Sequence, residues 1–243
     1  MNHCLNYEMI NAIFFDFNGV IIDDENLQMQ VYQELFREQG IELTEADYMS
    51  SLGMDDDTFV RAGYQRANAA VTEEAVQAML AEKTVRHRKL IENELPFFPG
   101  VVTFLKAVAR EHAVGLVSMA TLDEAGYVLD RANLTPLFSV MVTADDVKVC
   151  KPAPDCYRVA LEKLNEKRRE QRLLPLLPKE CLVVEDSPPG IQSGKGAGMK
   201  TLGITNTVSE EALRAAGADV VTPSLFDWNV DAVHHVFDYN SRH

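Results

Sequence analysis

The chain has 243 residues, 47% of them hydrophobic, which is enough for one large domain or for a core carrying a smaller insert. Its 23 basic and 37 acidic residues leave a formal net charge of −14, which argues against nucleic acid or an anionic membrane as partner, because both reward basic patches. An anionic substrate would need local neutralisation by a metal ion or a lysine.

Residues 1–8 show no charged leader followed by an apolar stretch, and no window reaches the roughly 18 apolar residues that span a bilayer; a cytoplasmic chain is expected. Ala12–Phe15 is an apolar run that reads as a buried parallel strand, and it delivers Asp16 into a tight turn closed by Gly19. Asp23, Asp24 and Glu25 then read as a helix start at a hinge. Residues 25–95 change character: helix formers dominate, no strand alternation is visible, and the interval is too long for a crossover. It reads as an inserted cap of about four helices, with residues 9–24 and 96–238 making the core. Inside it, Ser51-Leu-Gly53-Met-Asp55-Asp-Asp57-Thr is a glycine turn before a helix start, and Ala75, Met79, Val85 and Leu90 fall at helical spacing. Leu95-Pro-Phe-Phe-Pro-Gly100 is a rigid exit back to the core.

Further buried runs follow at 114–117, 140–143, 181–184 and 201–204, with a weaker one at 219–221. Strands alternating with helices predict an α/β fold with a doubly wound parallel sheet, whose ligands bind beyond the carboxyl ends of the strands. Residues 162–179 read as a charged helix end running into a Leu/Pro-rich surface extension. The four cysteines, Cys4, Cys150, Cys156 and Cys181, lack Cys-x-x-Cys spacing, so reduced thiols are expected, with Cys181 in the core. No metal spacing links His87, His112, His234 and His235, and nothing in the chain marks an oligomeric state.

The residues that carry chemistry sit at the strand ends. Asp16 alone reads as a turn former. Ser118 and the backbone at Met119 place a hydroxyl and N–H groups where a helix begins, which suits phosphate oxygens as well as a plain helix cap. Lys151, ahead of Pro152 and Pro154, presents a held point charge. Glu185 and Asp186 are adjacent carboxylates at the mouth of a buried strand, where burial is costly unless a cation or donors compensate. With Asp16 they offer the hard oxygen ligands that Mg2+ takes while it keeps waters and a phosphate oxygen.

In order, Asp16-Phe-Asn18-Gly19-Val, Ser118, Lys151-Pro and Glu185-Asp186-Ser-x-x-Gly190 resemble the four motifs of the haloacid dehalogenase (HAD)-like superfamily. The helical insert and the Lys-Pro-Ala-Pro-Asp phrase look like the branch holding beta-phosphoglucomutases, phosphoglycolate phosphatases and small sugar-phosphate phosphatases. The resemblance implies a Rossmann-like core and Mg2+-dependent removal of phosphate from a small phosphorylated metabolite, a sugar or short-acid phosphomonoester. It makes Asp16 the nucleophile and gives the metal Asp16, the Asn18 carbonyl, Glu185 and Asp186. Ser118 and Met119 would bind the phosphoryl group, Lys151 would neutralise it, and Gly19, Gly53 and Asp55 would contact substrate, with Asp55 or Asp56 at the entrance.

One position departs from the pattern: the second motif-one carboxylate, the family's general acid–base, is Asn18 here. An amide cannot protonate a leaving oxygen, and positioned proton transfer typically contributes about 10²–10⁴-fold. Three readings follow: another residue supplies the proton, an Asp-to-Asn change traps a complex, or the protein binds phosphorylated ligands without turnover.

Overall fold

The computed structural model describes residues 9–238, so Cys4 and the segment 1–8 lie outside the described residues. Six strands, β1 Ala12–Phe15, β2 Ala113–Val117, β3 Val140–Val142, β4 Cys181–Glu185, β5 Lys200–Ile204 and β6 Val220–Thr222, form one sheet in the order β3-β2-β1-β4-β5-β6. Every pairing is parallel. The short apolar runs become strands because both faces are covered: all four β1 side chains and all five of β4 are buried. Alternation splits β1 between two cores, with Ile13 and Phe15 packing on one face and Ala12 and Phe14 on the other. The strand order reverses between β1 and β4, the place where open α/β sheets hold ligands.

The helices are α1 Glu25–Glu38, α2 Glu45–Met49, α3 Asp56–Arg66, α4 Glu73–Leu90, α5 Val101–Val108, α6 Leu122–Arg131, α7 Asp155–Glu170, α8 Pro188–Gly196, α9 Glu210–Ala215 and α10 Val230–Val233. The last six flank the sheet; Phe104 of α5 meets Phe15 edge-on at 5.9 Å, and Tyr157, Ala160 and Leu164 of α7 cover the opposite face. The first four form the inserted cap, with a core of their own built on Tyr32, Phe36, Phe59, Val60, Tyr64, Val76 and Met79. No helix among the described residues is long and apolar enough to cross a membrane. The charged stretch continues α7 to Glu170, after which Leu174 is exposed and Leu176 buried.

One predicted face differs. Of the expected Ala75, Met79, Val85 and Leu90, only Met79 is buried; Val85 is 62% and Leu90 46% exposed. α4 instead buries Val76, Met79, Lys83 and His87. That face keeps helical spacing, but half of it is polar, and both polar members meet carboxylates inside the protein. A pattern of apolar residues alone cannot locate it.

The cap core has little slack at Gly63, where a Cβ would collide with the ring of Phe36. Gly63→Ala should destabilise the protein by about 1–3 kcal/mol through overpacking. Urea unfolding would register this as a lower midpoint at unchanged slope.

Candidate active site

The sequence-selected residues converge because they follow neighbouring strands. Asp16 follows β1, Ser118 follows β2, Glu185 ends β4, and Lys151 lies in the segment entering α7. They open on a cavity whose core side includes Asp16, Asn18, Ser118, Met119, Lys151 and Asp186, and whose cap side includes Glu25, Tyr32, Tyr48, Gly53, Asp56 and Lys83.

Lys151 is its electrostatic centre. Its buried ammonium donates to Asp16 Oδ1 at 2.8 Å, Glu185 Oε1 at 2.6 Å and the Val117 carbonyl at 3.3 Å. Burial alone would pull this lysine down, but Asp16 and Glu185 beside it raise it above its ordinary value. Glu185, fully buried, also accepts from the Tyr157 hydroxyl on Oε1, and on Oε2 from the Asp186 and Ser187 N–H groups and Ser187 Oγ. Its fit requires Gly190, where a Cβ would collide with the carboxylate.

Asp16, Glu185 and Asp186 each bring an oxygen within 4.8 Å of the others. Three carboxylates around one ammonium leave an excess of negative charge. Burial, then Glu185, raises Asp16 to about 7 against the pull of Lys151, and burial with Glu185, Asp16 and Glu25 raises Asp186 well above the usual carboxylate range. A divalent cation with hard oxygen ligands fits this deficit of positive charge. Glu185, expected as a ligand, has both oxygens engaged by protein donors, so Asp16 and Asp186 are the more open pair. Asp186 accepts from Thr207 Oγ1, and Gly19, at φ +74°, leaves room for it, since a Cβ there would collide with Asp186 Oδ2. Gly19 thus stands behind Asp186 and does not line the cavity.

The cap loop is partly as expected. Gly53, at φ +84°, lines the cavity against Lys151 and Pro189. Asp55 does not; it caps α3 by accepting from Thr58 N at 2.8 Å, and Cys150 Sγ donates to it at 2.7 Å. Its neighbour Asp56 faces the cavity instead. Arg61 and Arg66 lie outside, paired with Asp57 and Glu73 and with Asp47.

Lys83, Asp24, His87 and Glu25 make contacts at or beside the cavity that the sequence pattern passed over. Lys83, 1% exposed, bridges Asp56 Oδ2 at 2.7 Å and Glu124 Oε1 of α6 at 2.6 Å, tying cap to core. Asp24, read as a helix start, makes no capping bond. Its wholly buried carboxylate accepts from Asn18 Nδ2 on both oxygens, at 2.9 and 3.0 Å, and from Gln28 Nε2 at 3.1 Å. His87 Nε2 lies 2.9 Å from Asp24 Oδ2 but out of line for a hydrogen bond. Glu25 faces the cavity and accepts from the Tyr48 hydroxyl at 2.8 Å. The available signal was the i, i+4 pair Lys83 and His87 on one helix face, together with three consecutive acids at the hinge.

Comparison with known proteins places this geometry. A haloacid dehalogenase-like hydrolase family model matches residues 10–198. The Bacillus subtilis protein YhcW is 31% identical over 210 residues, 83% of this chain and 86% of that protein. Phosphorylated carbohydrates phosphatase of Thermotoga maritima is 28% identical over 213 residues, 86% of this chain and 92% of its own. The crystal structure of beta-phosphoglucomutase from Clostridium difficile matches with a TM-score of 0.80 over 94% of this chain and 97% of that one, at 23% identity, which is a likeness of fold.

Removing Lys151 leaves buried carboxylates without a counter-charge. Lys151→Met should cost about 3–5 kcal/mol at pH 7.5. The loss should shrink towards pH 5: a carboxyl whose folded-state pKa is raised stabilises the fold while protonated, and that contribution disappears as pH rises through about 7 for Asp16. Equal losses in urea unfolding at both pH values would contradict this account.

Proposed function

The chain belongs to the haloacid dehalogenase-like hydrolases, and from that premise we propose that it is a magnesium-dependent phosphatase acting on a small phosphorylated metabolite through an aspartyl-phosphate at Asp16. The observation that carries this reading is the buried Asp16–Lys151–Glu185 array, with Asp186 and Ser118 beside it, opening into the cap cavity.

Lys151 holds Asp16 through Oδ1, and Oδ2 would attack phosphorus. Ser118 and the Met119 backbone receive the phosphoryl oxygens. Asp16, the Asn18 carbonyl and Asp186 would hold Mg2+, with Glu185 acting through Lys151 and the Asp186 backbone. When bound, the ion would neutralise the phosphoryl group and favour in-line displacement. The cap wall supports a sugar phosphate over a short acid or a bisphosphate. Its lysine, Lys83, is already taken by Asp56 and Glu124, no arginine is among the described lining residues, and Tyr32, Tyr48, Gln28 and Ser51 offer groups suited to hydroxyls. The name of the Thermotoga relative, a phosphatase of phosphorylated carbohydrates, accords with that preference.

Asn18 favours a second reading, a phosphate-ligand binder without turnover, because its Nδ2 is committed to Asp24. Phosphate release from a panel of sugar and acid phosphates with Mg2+ separates the two. The phosphatase reading expects release from sugar phosphates, lost by about 10³–10⁶-fold in Asp16→Asn. A binder would gain thermal stability with ligand and release nothing.

Chelation gives an independent check. EDTA should stop release and lower Tm, and restoring Mg2+ should reverse both. The Tm gain from Mg2+ should grow as pH rises through about 7, since below that the metal-free Asp16 carboxyl keeps a proton with which the ion must compete. A Tm indifferent to Mg2+ across this range would count against an ion at these carboxylates.

A further inference from the structure

We propose that Glu25, the first residue of α1, is the general acid–base of the hydrolysis in place of Asn18, a proposal that rests on the phosphatase reading above. The first support is what Asn18 cannot do. Its amide N–H₂ bonds both oxygens of the buried Asp24, which orients its Oδ1 away from Asp24 as an acceptor and leaves no proton to transfer.

The second support is elimination among the carboxyls lining the cavity. Asp16 is bonded to Lys151, Asp56 is bonded to Lys83, as is Glu124, and Asp186 accepts from Thr207. Among the described residues lining the cavity, Glu25 is the carboxyl that is neither bonded to a lysine nor part of the Asp16–Glu185–Asp186 cluster: it accepts from the Tyr48 hydroxyl on Oε2, which leaves Oε1 for a proton. The groups acting on it are Asp24 on its own element, Asp16 after β1, Asp186 after β4, Lys83 on α4 and Tyr48 on α2. Burial, then Asp24, raises the Glu25 carboxyl to about 7, so it can both hold and accept a proton at neutral pH.

The steps balance. Asp16 Oδ2 forms a bond to phosphorus while the bond from phosphorus to the ester oxygen breaks; the electron pair stays on that oxygen, which takes the proton of Glu25 and leaves as an alcohol. Glu25, now a carboxylate, takes a proton from water as the water oxygen bonds to phosphorus and the bond to Asp16 breaks. Inorganic phosphate leaves, Asp16 is again a carboxylate and Glu25 again an acid.

p-Nitrophenyl phosphate tests this directly, because its leaving group departs without a proton while the second step still requires a base. Rapid mixing of Glu25→Gln with this ester and Mg2+ should give a stoichiometric burst of p-nitrophenolate at the parental rate, then turnover slower by about 10²–10⁴-fold. The phosphorylated chain should accumulate by intact mass. Adding Asn18→Asp to Glu25→Gln should restore turnover by returning an acid to the cavity, which a merely structural role for Glu25 would not predict. Parental turnover in Glu25→Gln, or equal loss of burst and turnover without rescue, overturns the assignment and leaves the phosphatase reading standing. Absence of Asp16-dependent nitrophenolate release from the parent chain overturns both.

Discussion

The ammonium of Lys151, buried between Asp16 and Glu185, is the contact on which the site depends. Among the described residues it is the one positive charge bonded to members of the Asp16–Glu185–Asp186 cluster, and it crosses from the segment before α7 to the ends of β1 and β4. A buried ion pair of this kind adds little net stability over apolar packing of the same shape, because desolvation offsets most of the attraction. What it supplies is geometry. Asp16 is held by the lysine through Oδ1, while Glu185 is immobilised by donors on both oxygens. The glycines follow from the same crowding, since side chains at Gly19 and Gly190 would strike Asp186 and Glu185.

A second buried lysine repeats the device between the two parts of the chain. Lys83 on the cap meets Asp56 on the cap and Glu124 on the core, all on the wall of the same cavity. Opening the cap would separate a buried cation from one of its anions. The closed arrangement is therefore held by an electrostatic contact as well as by apolar area, and in it Glu25 and Asp16 line the same cavity.

How much of this was legible follows from the kind of signal each residue carries. β1 and β4 were readable because a strand buried on both faces is an unbroken apolar run, and the meeting of Asp16, Ser118, Lys151 and Glu185–Asp186 at one end of the sheet was readable because ligands in such sheets bind where those runs stop. α4 was misread because its inward face is completed by Lys83 and His87, whose burial depends on carboxylates from elsewhere in the chain. Asp55 and Asp56 are indistinguishable by type, and only the helix start decides that the first caps and the second faces the cavity. The partners of Glu185, Lys151, Tyr157 and Ser187, cannot be read from its own sequence neighbourhood. In each case the missing information is a long-range polar partner.

The same reasoning bears on why position 18 is an amide. Asp24 is wholly buried, and its carboxyl accepts from Asn18 and Gln28. With Asp24 in place, the amide donates to both of its oxygens and completes the hinge. The chain thus divides two tasks between two positions: Asn18 orders the hinge through its side chain, and the proposed proton transfer falls to Glu25 on the wall of the cavity.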